Sequence, residues 1–143
     1  MKVVKRTGER EDVSFDKVLK RLQHLAVGID VNVFEITQKV CSRIYDGVKT
    51  SELDELAAQL CSSMMIEHPD YGKLAARIII SNHHKNTSPS FSETIQIMYN
   101  NIDVEGKPSP LVNQRIYDVV MKNKEKLNTY IDHTRDYEFD YYG

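Results

Sequence analysis

The fold is decided by the stretch Lys2-Val3-Val4-Lys5-Arg6-Thr7-Gly8-Glu9-Arg10-Glu11-Asp12-Val13-Ser14-Phe15-Asp16-Lys17. Two short segments in it contain β-branched and aromatic residues, and the sequence Thr-Gly-Glu-Arg lies between them. Gly8 supplies the positive φ that a tight hairpin loop needs. The pattern therefore predicts a β-hairpin over residues 2 to 15.

Four helical patterns follow the hairpin. Apolar residues recur in them at the spacing of a helix with one buried face, and we expect helices over about 16–27, 33–45, 51–64 and 70–85. Ser51 and Asp54 have the spacing of a capping box, with Asp in place of the preferred Glu. The fold class is thus α+β and mostly α, with a small hairpin or sheet that caps a four-helix bundle.

A second part begins after the loop Asn86-Thr87-Ser88-Pro89-Ser90, which is a candidate domain boundary. Further helices are predicted over about 91–101 and 111–124, with a short one near residue 130. The tail, residues 135–143, alternates aromatic and acidic side chains, a period typical of a strand. We expect two domains, residues 1–87 and 88–143.

Composition and charge restrict the classes of function. The chain has 143 residues, of which 41% are hydrophobic and 28% are charged, as in ordinary globular proteins. Its formal charge of −2 disfavours binding of nucleic acid over the whole surface, so any anion site must be a local cluster. No signal peptide or membrane span is recognisable. We expect a soluble cytoplasmic protein with no direct nucleic-acid or membrane contact.

Neither a metal centre nor a catalytic centre is indicated. Cys41 and Cys61 lie inside helical patterns, and no CxxC pair exists. The adjacent His83 and His84 would point about 100° apart on a helix, which does not suit one ion. We expect reduced core thiols and no metal. No Gly-rich phosphate loop, nucleophile motif or acid–base pair is recognisable, so no catalytic residue is assigned.

The hairpin carries the most informative charges. Lys5 and Arg6 end its first strand, and Lys17 follows its second. Pairing across the hairpin brings these cations within reach of one ligand, near a helix N-terminus, and this indicates a polyphosphate site. The alternative is a solvated charged hairpin that blunts the edge of a sheet.

These residues also resemble a known family. The opening Val3-Val4-Lys5-Arg6-Thr7-Gly8, followed by a second strand that ends Phe15-Asp16-Lys17, resembles the start of the ATP-cone, although Thr7 replaces its usual Asp. Three later stretches agree in order and spacing: Tyr45-Asp46-Gly47-Val48-Lys49-Thr50, Glu52-Leu53-Asp54, and His68-Pro69-Asp70-Tyr71 with Leu74-Ala75-Ala76-Arg77. Together they resemble the cone at the N-terminus of the large chain of class I ribonucleotide reductase, of the eukaryotic and viral type.

The resemblance covers residues 1–87 as a cone, and residues 88–143 are similar to the helices that lead into the family's α/β barrel. The family's catalytic cysteines would lie beyond Gly143. The chain therefore resembles a fragment that we do not expect to reduce ribonucleotides alone. In the full enzyme the resemblance implies self-association of the large chain and a small, radical-generating subunit as partners.

The resemblance also implies an allosteric ligand, ATP or dATP with Mg²⁺, which controls deoxyribonucleotide synthesis. Its triphosphate would lie near Lys5, Arg6 and Lys17. Its adenine would lie against the second strand and the turn into the helix. The residues implied there are Glu11, Asp12, Val13, Ser14, Phe15 and Asp16. Thr50 would contact phosphate or backbone, Asp54 would sense which nucleotide is bound, and Lys85 is a further phosphate candidate.

Other interpretations of the same residues remain open. The cone could be degenerate and serve only as an oligomerisation module, or it could belong to a transcriptional regulator, although such regulators carry a zinc ribbon that is absent here. Asp54 could be only the capping-box residue and Thr50 only a helix N-cap. Lys85 could be an ordinary cation at a helix C-terminus.

Overall fold

A computed structural model describes all 143 residues of the chain. They form two compact units, one of residues 1–83 with 136–143 and the other of residues 84–135. A small sheet and seven α-helices make the fold α+β and mostly α, as the sequence predicts. The domain boundary at residue 87 stays a prediction.

The sheet of the first unit has three strands in the order β2-β1-β3, namely β1 (Lys2–Val4), β2 (Arg10–Asp12) and β3 (Val48–Lys49). The predicted hairpin is present, since β1 and β2 are antiparallel, and Gly8 has a φ of +86° in the loop between them. Its strands are shorter than predicted: β1 ends before Lys5 and Arg6, and β2 ends at Asp12 rather than near Phe15. β3 is parallel to β1 and was not predicted. A strand of two residues is too short to show a hydrophobic period.

Four helices pack beside this sheet: α1 (Phe15–Leu25), α2 (Val33–Cys41), α3 (Thr50–Ser63) and α4 (Asp70–Asn86). Ser14 caps α1, where its hydroxyl accepts a hydrogen bond from the backbone N–H of Lys17, and Asn32 caps α2 in the same way. The largest fully buried side chains of the core are Ile36, Leu74, Ile78, Val40, Thr37 and Cys61. The apolar periodicity predicted Ile36, Val40, Leu74 and Ile78 of this set but not the polar Thr37.

The end of α2 and the cap of α3 differ from the prediction. α2 ends at Cys41 rather than near Tyr45, because the chain must turn through Gly47 into β3. The capping box predicted for Ser51 and Asp54 is wrong. The carboxylate of Glu52 instead accepts a hydrogen bond of 3.2 Å from the backbone N–H of Lys49.

The second unit is built from α5 (Phe91–Tyr99), α6 (Gln114–Lys122) and α7 (Lys124–Tyr130). Ser90 and Asn113 cap the first two of these helices. The rings of Tyr99 and Tyr117 stack with their centroids 4.1 Å apart. The helices predicted after residue 90 are therefore present, with shorter bounds.

The strand expected in the tail is not formed. His133–Glu138 is a 3-10 helix, and no segment of the tail is a strand of the sheet. A period of two yields a strand only where a neighbouring strand offers hydrogen bonds. Tyr141 instead packs against the apolar core of the first unit.

None of the helices is both long enough and apolar enough to span a lipid bilayer.

Candidate functional site

The parallel pairing of β1 with β3 brings two distant parts of the chain to one edge of the sheet. Val4 lies opposite Lys49, so Lys5 and Thr50 are the next residues at the same ends of their strands. Thr50 is the first residue of α3, and Lys49 precedes the helix as its N-cap. The cations that follow β1 therefore lie beside the N-terminal end of a helix of 14 residues.

Glu11 joins two of the predicted cations. Its Oε2 lies 2.8 Å from Nζ of Lys5, and its other carboxylate oxygen forms an ion pair with Nζ of Lys17. Lys5 also lies 3.5 Å from a carboxylate oxygen of Glu9. The side chains of Lys5 and Lys17 are 41% and 67% exposed, so an anion from solvent can approach both. One carboxylate thus holds together two ammonium groups that come from different elements.

Asp54 lies at the centre of a second cluster and is only 7% exposed. Arg21 on α1 donates from Nε to its Oδ1 at 2.7 Å and from Nη2 to its Oδ2 at 2.8 Å. Arg6 donates from Nη2 to the same Oδ2 at 3.2 Å and also to the side-chain oxygen of Asn82 on α4. Two arginines therefore converge on one buried carboxylate, and the cluster links the hairpin, α1, α3 and α4.

Sequence reasoning missed Arg21 and Asn82. A signal for Arg21 was present, because it lies four residues after Lys17 and so shares its face of α1. Asn82 is 5% exposed, and nothing in its neighbours along the chain marks it as a partner of Arg6. Asp54 was found by its resemblance to the family motif, while its alternative role in a capping box is wrong.

The residues predicted to lie against adenine make different local contacts in the structure. Val13 donates its backbone N–H to the carbonyl of Met1 at 3.1 Å and packs on the small core under the sheet. Ser14 is the N-cap of α1. The ring of Phe15 meets that of Phe34 edge-on with the centroids 5.4 Å apart. Glu11 and Asp12 lie on β2, whereas Asp16 lies in the first turn of α1, and Asp12 and Asp16 are both exposed.

Lys85 lies in the last turn of α4 and belongs to the second compact unit. Its side chain is exposed. A cation is favoured at a helix C-terminus by the helix dipole alone. The phosphate contact expected for Lys85 stays a prediction.

The chain has no group of three or more His, Cys, Asp or Glu side chains arranged to hold a metal ion. Cys41 and Cys61 are free thiols. Burial raises the pKa of the Cys61 thiol to about 12, and it raises the pKa of the Cys41 thiol as well. A thiol whose pKa is raised in this way is a poor nucleophile at neutral pH.

Comparison with known proteins identifies the family. The model of the ATP cone domain matches residues 1–86. The chain is 47% identical over 145 aligned positions to the ribonucleoside-diphosphate reductase large subunit of Plasmodium falciparum, isolate Dd2. It is 46% identical to the large subunit of Arabidopsis thaliana and 44% identical to large chain 2 of Saccharomyces cerevisiae.

Each of these matches covers the whole of this chain but only 17–18% of the relative. The chain therefore spans less than a fifth of the length of these relatives. The match to the cone supports a regulatory role in nucleotide binding. The hairpin, the four helices and the match over residues 1–86 lead to one conclusion: the chain belongs to the ATP-cone domain family.

Proposed function

We propose that residues 1–87 bind ATP and dATP as an allosteric regulatory domain, the overall activity site of a ribonucleoside-diphosphate reductase large chain. Residues 88–143 would begin the catalytic domain of that chain. The observation that carries the proposal is that Glu11 joins Lys5 and Lys17, directly beside Arg6 in the chain, at the sheet edge from which α3 begins, in a domain of the ATP-cone family.

The three cations suit a triphosphate. Lys5 and Lys17 offer compact charges and are exposed, while Arg6 offers a planar fork that fits phosphate oxygens. Each cation is paired with a carboxylate of the protein, so a nucleotide binds by exchanging those carboxylates for its phosphates. The N-terminal turn of α3, which Thr50 begins, adds the positive end of a helix dipole.

The positions of the adenine, the sugar and the Mg²⁺ ion follow from this placement of the triphosphate. The adenine lies against residues 11–16, and Asp54 on the second turn of α3 responds to the sugar and phosphates. A Mg²⁺ ion is carried mainly by the phosphates and water, because Mg²⁺ binds few protein ligands at nucleotide sites. The protein supplies the cations and the shape of the site.

ATP and dATP differ by one hydroxyl group. A single hydrogen bond contributes about 0.5–1.5 kcal/mol net, which changes affinity roughly tenfold at most. A ligand shifts a conformational equilibrium only by its differential affinity for the two states. The two nucleotides therefore bind with similar affinities and differ in the self-association that they favour. In the full enzyme this would regulate cytoplasmic deoxyribonucleotide synthesis together with the small subunit.

Titration calorimetry with Mg-ATP and Mg-dATP tests the proposal. Both nucleotides should bind with affinities on the micromolar scale. Lys5→Ala and Arg6→Ala should weaken both, while Lys20→Ala, an exposed lysine on α1, should change neither. The absence of binding heat at saturating nucleotide would contradict the proposal.

Size-exclusion chromatography distinguishes this proposal from the alternative of a degenerate cone that serves only in oligomerisation. If dATP changes the elution of the chain, the cone couples nucleotide binding to assembly. Assembly that is indifferent to nucleotide, with no binding heat, would identify a degenerate cone that serves only as an oligomerisation module.

A further inference from the structure

The two arginines on Asp54 are bound unequally. Arg21 contacts both carboxylate oxygens, at 2.7 and 2.8 Å. Arg6 donates from Nη2 to Oδ2 of Asp54 at 3.2 Å, the oxygen that Nη2 of Arg21 also binds, and it donates to the side-chain oxygen of Asn82 as well. Arg21 alone therefore provides a two-pronged hydrogen-bonded partner for the buried carboxylate, and Arg6 is an additional donor.

The two arginines also come from different kinds of structure. Arg21 lies within α1, and its Nη2 is also 3.5 Å from the hydroxyl of Ser81 on α4. Arg6 lies in the loop of the hairpin, directly after Lys5. A side chain on a packed helix is held more firmly than one on a hairpin loop, because loops open locally at lower free energy.

We propose that Arg21 is a positioning residue, which anchors Asp54 and so leaves Arg6 able to move from Asp54 to an anionic ligand. The inference rests on the proposed nucleotide site. When Arg6 moves, Asp54 keeps Arg21 as its counter-charge, so the exchange leaves no buried carboxylate unpaired. Arg21 assists binding without contacting the ligand.

A specific consequence follows for variants that lack Arg21. In Arg21→Gln, Arg6 becomes the only cation on the buried Asp54, and moving it to the ligand would leave that carboxylate without a charged partner. Nucleotide affinity should therefore fall about five- to twentyfold, which corresponds to about 1–2 kcal/mol of binding free energy. In an Asp54→Asn background no charge holds Arg6, so the same loss of Arg21 should have little effect.

The experiment is a double-mutant cycle measured by titration calorimetry with Mg-ATP. The four proteins are the wild type, Arg21→Gln, Asp54→Asn and the double variant. We expect a five- to twentyfold loss for Arg21→Gln relative to wild type, and less than twofold between Asp54→Asn and the double variant. Any direct contact of Asp54 with the ligand cancels, because the second comparison is made wholly in the Asn background.

Several outcomes would overturn the inference. If Arg21 touches the ligand itself, or merely supports the fold, the loss persists in the Asn background. If Arg21→Gln binds as tightly as wild type, the anchor is not needed. Urea unfolding of each protein checks that it is folded. Should Arg21→Gln be unfolded, Arg21→Met replaces it in the same cycle, since Met keeps an apolar stem of similar length but removes the charge.

The result also separates this inference from the proposed function. A wild-type chain that gives no binding heat overturns both. A wild-type chain that binds ATP, with a loss that persists in the Asn background, overturns the role of Arg21 alone.

Discussion

Val4 lies directly opposite Lys49 in the parallel pair of β1 and β3. This one register brings the hairpin and the start of α3 together, although 45 positions separate the two paired residues along the chain. The backbone N–H of Gly47 supports it by donating to the carbonyl of Lys2 at 2.7 Å. The proposed site therefore depends on a strand of two residues and on the turn that leads into it.

Gly47→Ala should destabilise the chain by about 1–2 kcal/mol. Gly47 has a φ of +85°, which costs an L-residue with a Cβ roughly this much. No heavy atom lies within 4 Å of an added Cβ, so the cost is in the backbone alone. Urea unfolding measures the change. Gly47→Asn is the matched variant and should lose less, because Asn tolerates positive φ better. Equal losses for the two variants would contradict this explanation.

Glu11→Gln should tighten the binding of ATP. Glu11 holds Lys5 and Lys17 by its carboxylate, and a triphosphate competes with that carboxylate for both cations. Removing one competing charge should raise the affinity about threefold to tenfold, as measured by calorimetry at low salt. The control is Glu9→Gln, because Glu9 is 71% exposed and lies 3.5 Å from Lys5 alone. A loss of affinity would instead indicate that Glu11 stabilises the bound nucleotide by more than it competes with the phosphates.

Asp70 should contribute to stability against acid. The backbone N–H of Asp30, and then the ammonium group of Lys73, hold the pKa of this carboxyl below its usual value. The contribution is therefore present above the unfolded pKa of about 4 and is lost as pH falls through it towards the lower folded pKa. Between about pH 5 and pH 2, the wild type should lose more stability than Asp70→Asn in urea unfolding. Glu67→Gln, at an exposed side chain, should follow the wild type.

Cys61 should make the chain sensitive to alkali. Burial raises the pKa of its thiol to about 12, whereas an unfolded thiol ionises near 8.5–9. The contribution of the protonated Cys61 thiol to the free energy of unfolding is therefore complete below about pH 8.5. It is lost as pH rises towards 12, at up to about 1.4 kcal/mol per pH unit. Urea unfolding at several pH values measures the slope.

Cys61→Ala is the control for that measurement and should show a smaller slope over the same range. A thiol reagent at pH 8 gives an independent check. Cys61 should stay unmodified in the native chain and react once the chain is unfolded in denaturant, because it is fully buried. Rapid labelling of native Cys61 would contradict the burial on which the prediction depends.

The sequence predicted those elements whose signals lie within a few residues. The hairpin depends on Gly8 and its flanking segments, and the helices depend on apolar residues three or four positions apart. The predicted first and last residues of these helices were less accurate than their presence. α1 is capped by Ser14 rather than beginning at Asp16, and the last turns predicted for α2 give way to the turn at Gly47. Local propensity does not include the tertiary constraint that ends a helix.

The tail illustrates the limit of periodicity. Aromatic and acidic residues alternate there as they would in a strand, yet His133–Glu138 forms a 3-10 helix and Tyr141 packs on a core. A helix makes its hydrogen bonds within its own segment, whereas a strand needs a partner that the pattern alone does not supply.

By itself the sequence determined the fold class, the hairpin, the helical cores and the cations Lys5, Arg6 and Lys17 as candidates for one site. Only the tertiary structure decided what those cations contact. Asp54 accepts from Arg21 and Arg6, which lie 33 and 48 positions away along the chain, so its role follows from packing rather than from spacing. The physical reason is that ion pairs and parallel strand pairs join residues that are close in space but distant in sequence, and they form only after the helices and the sheet have come together.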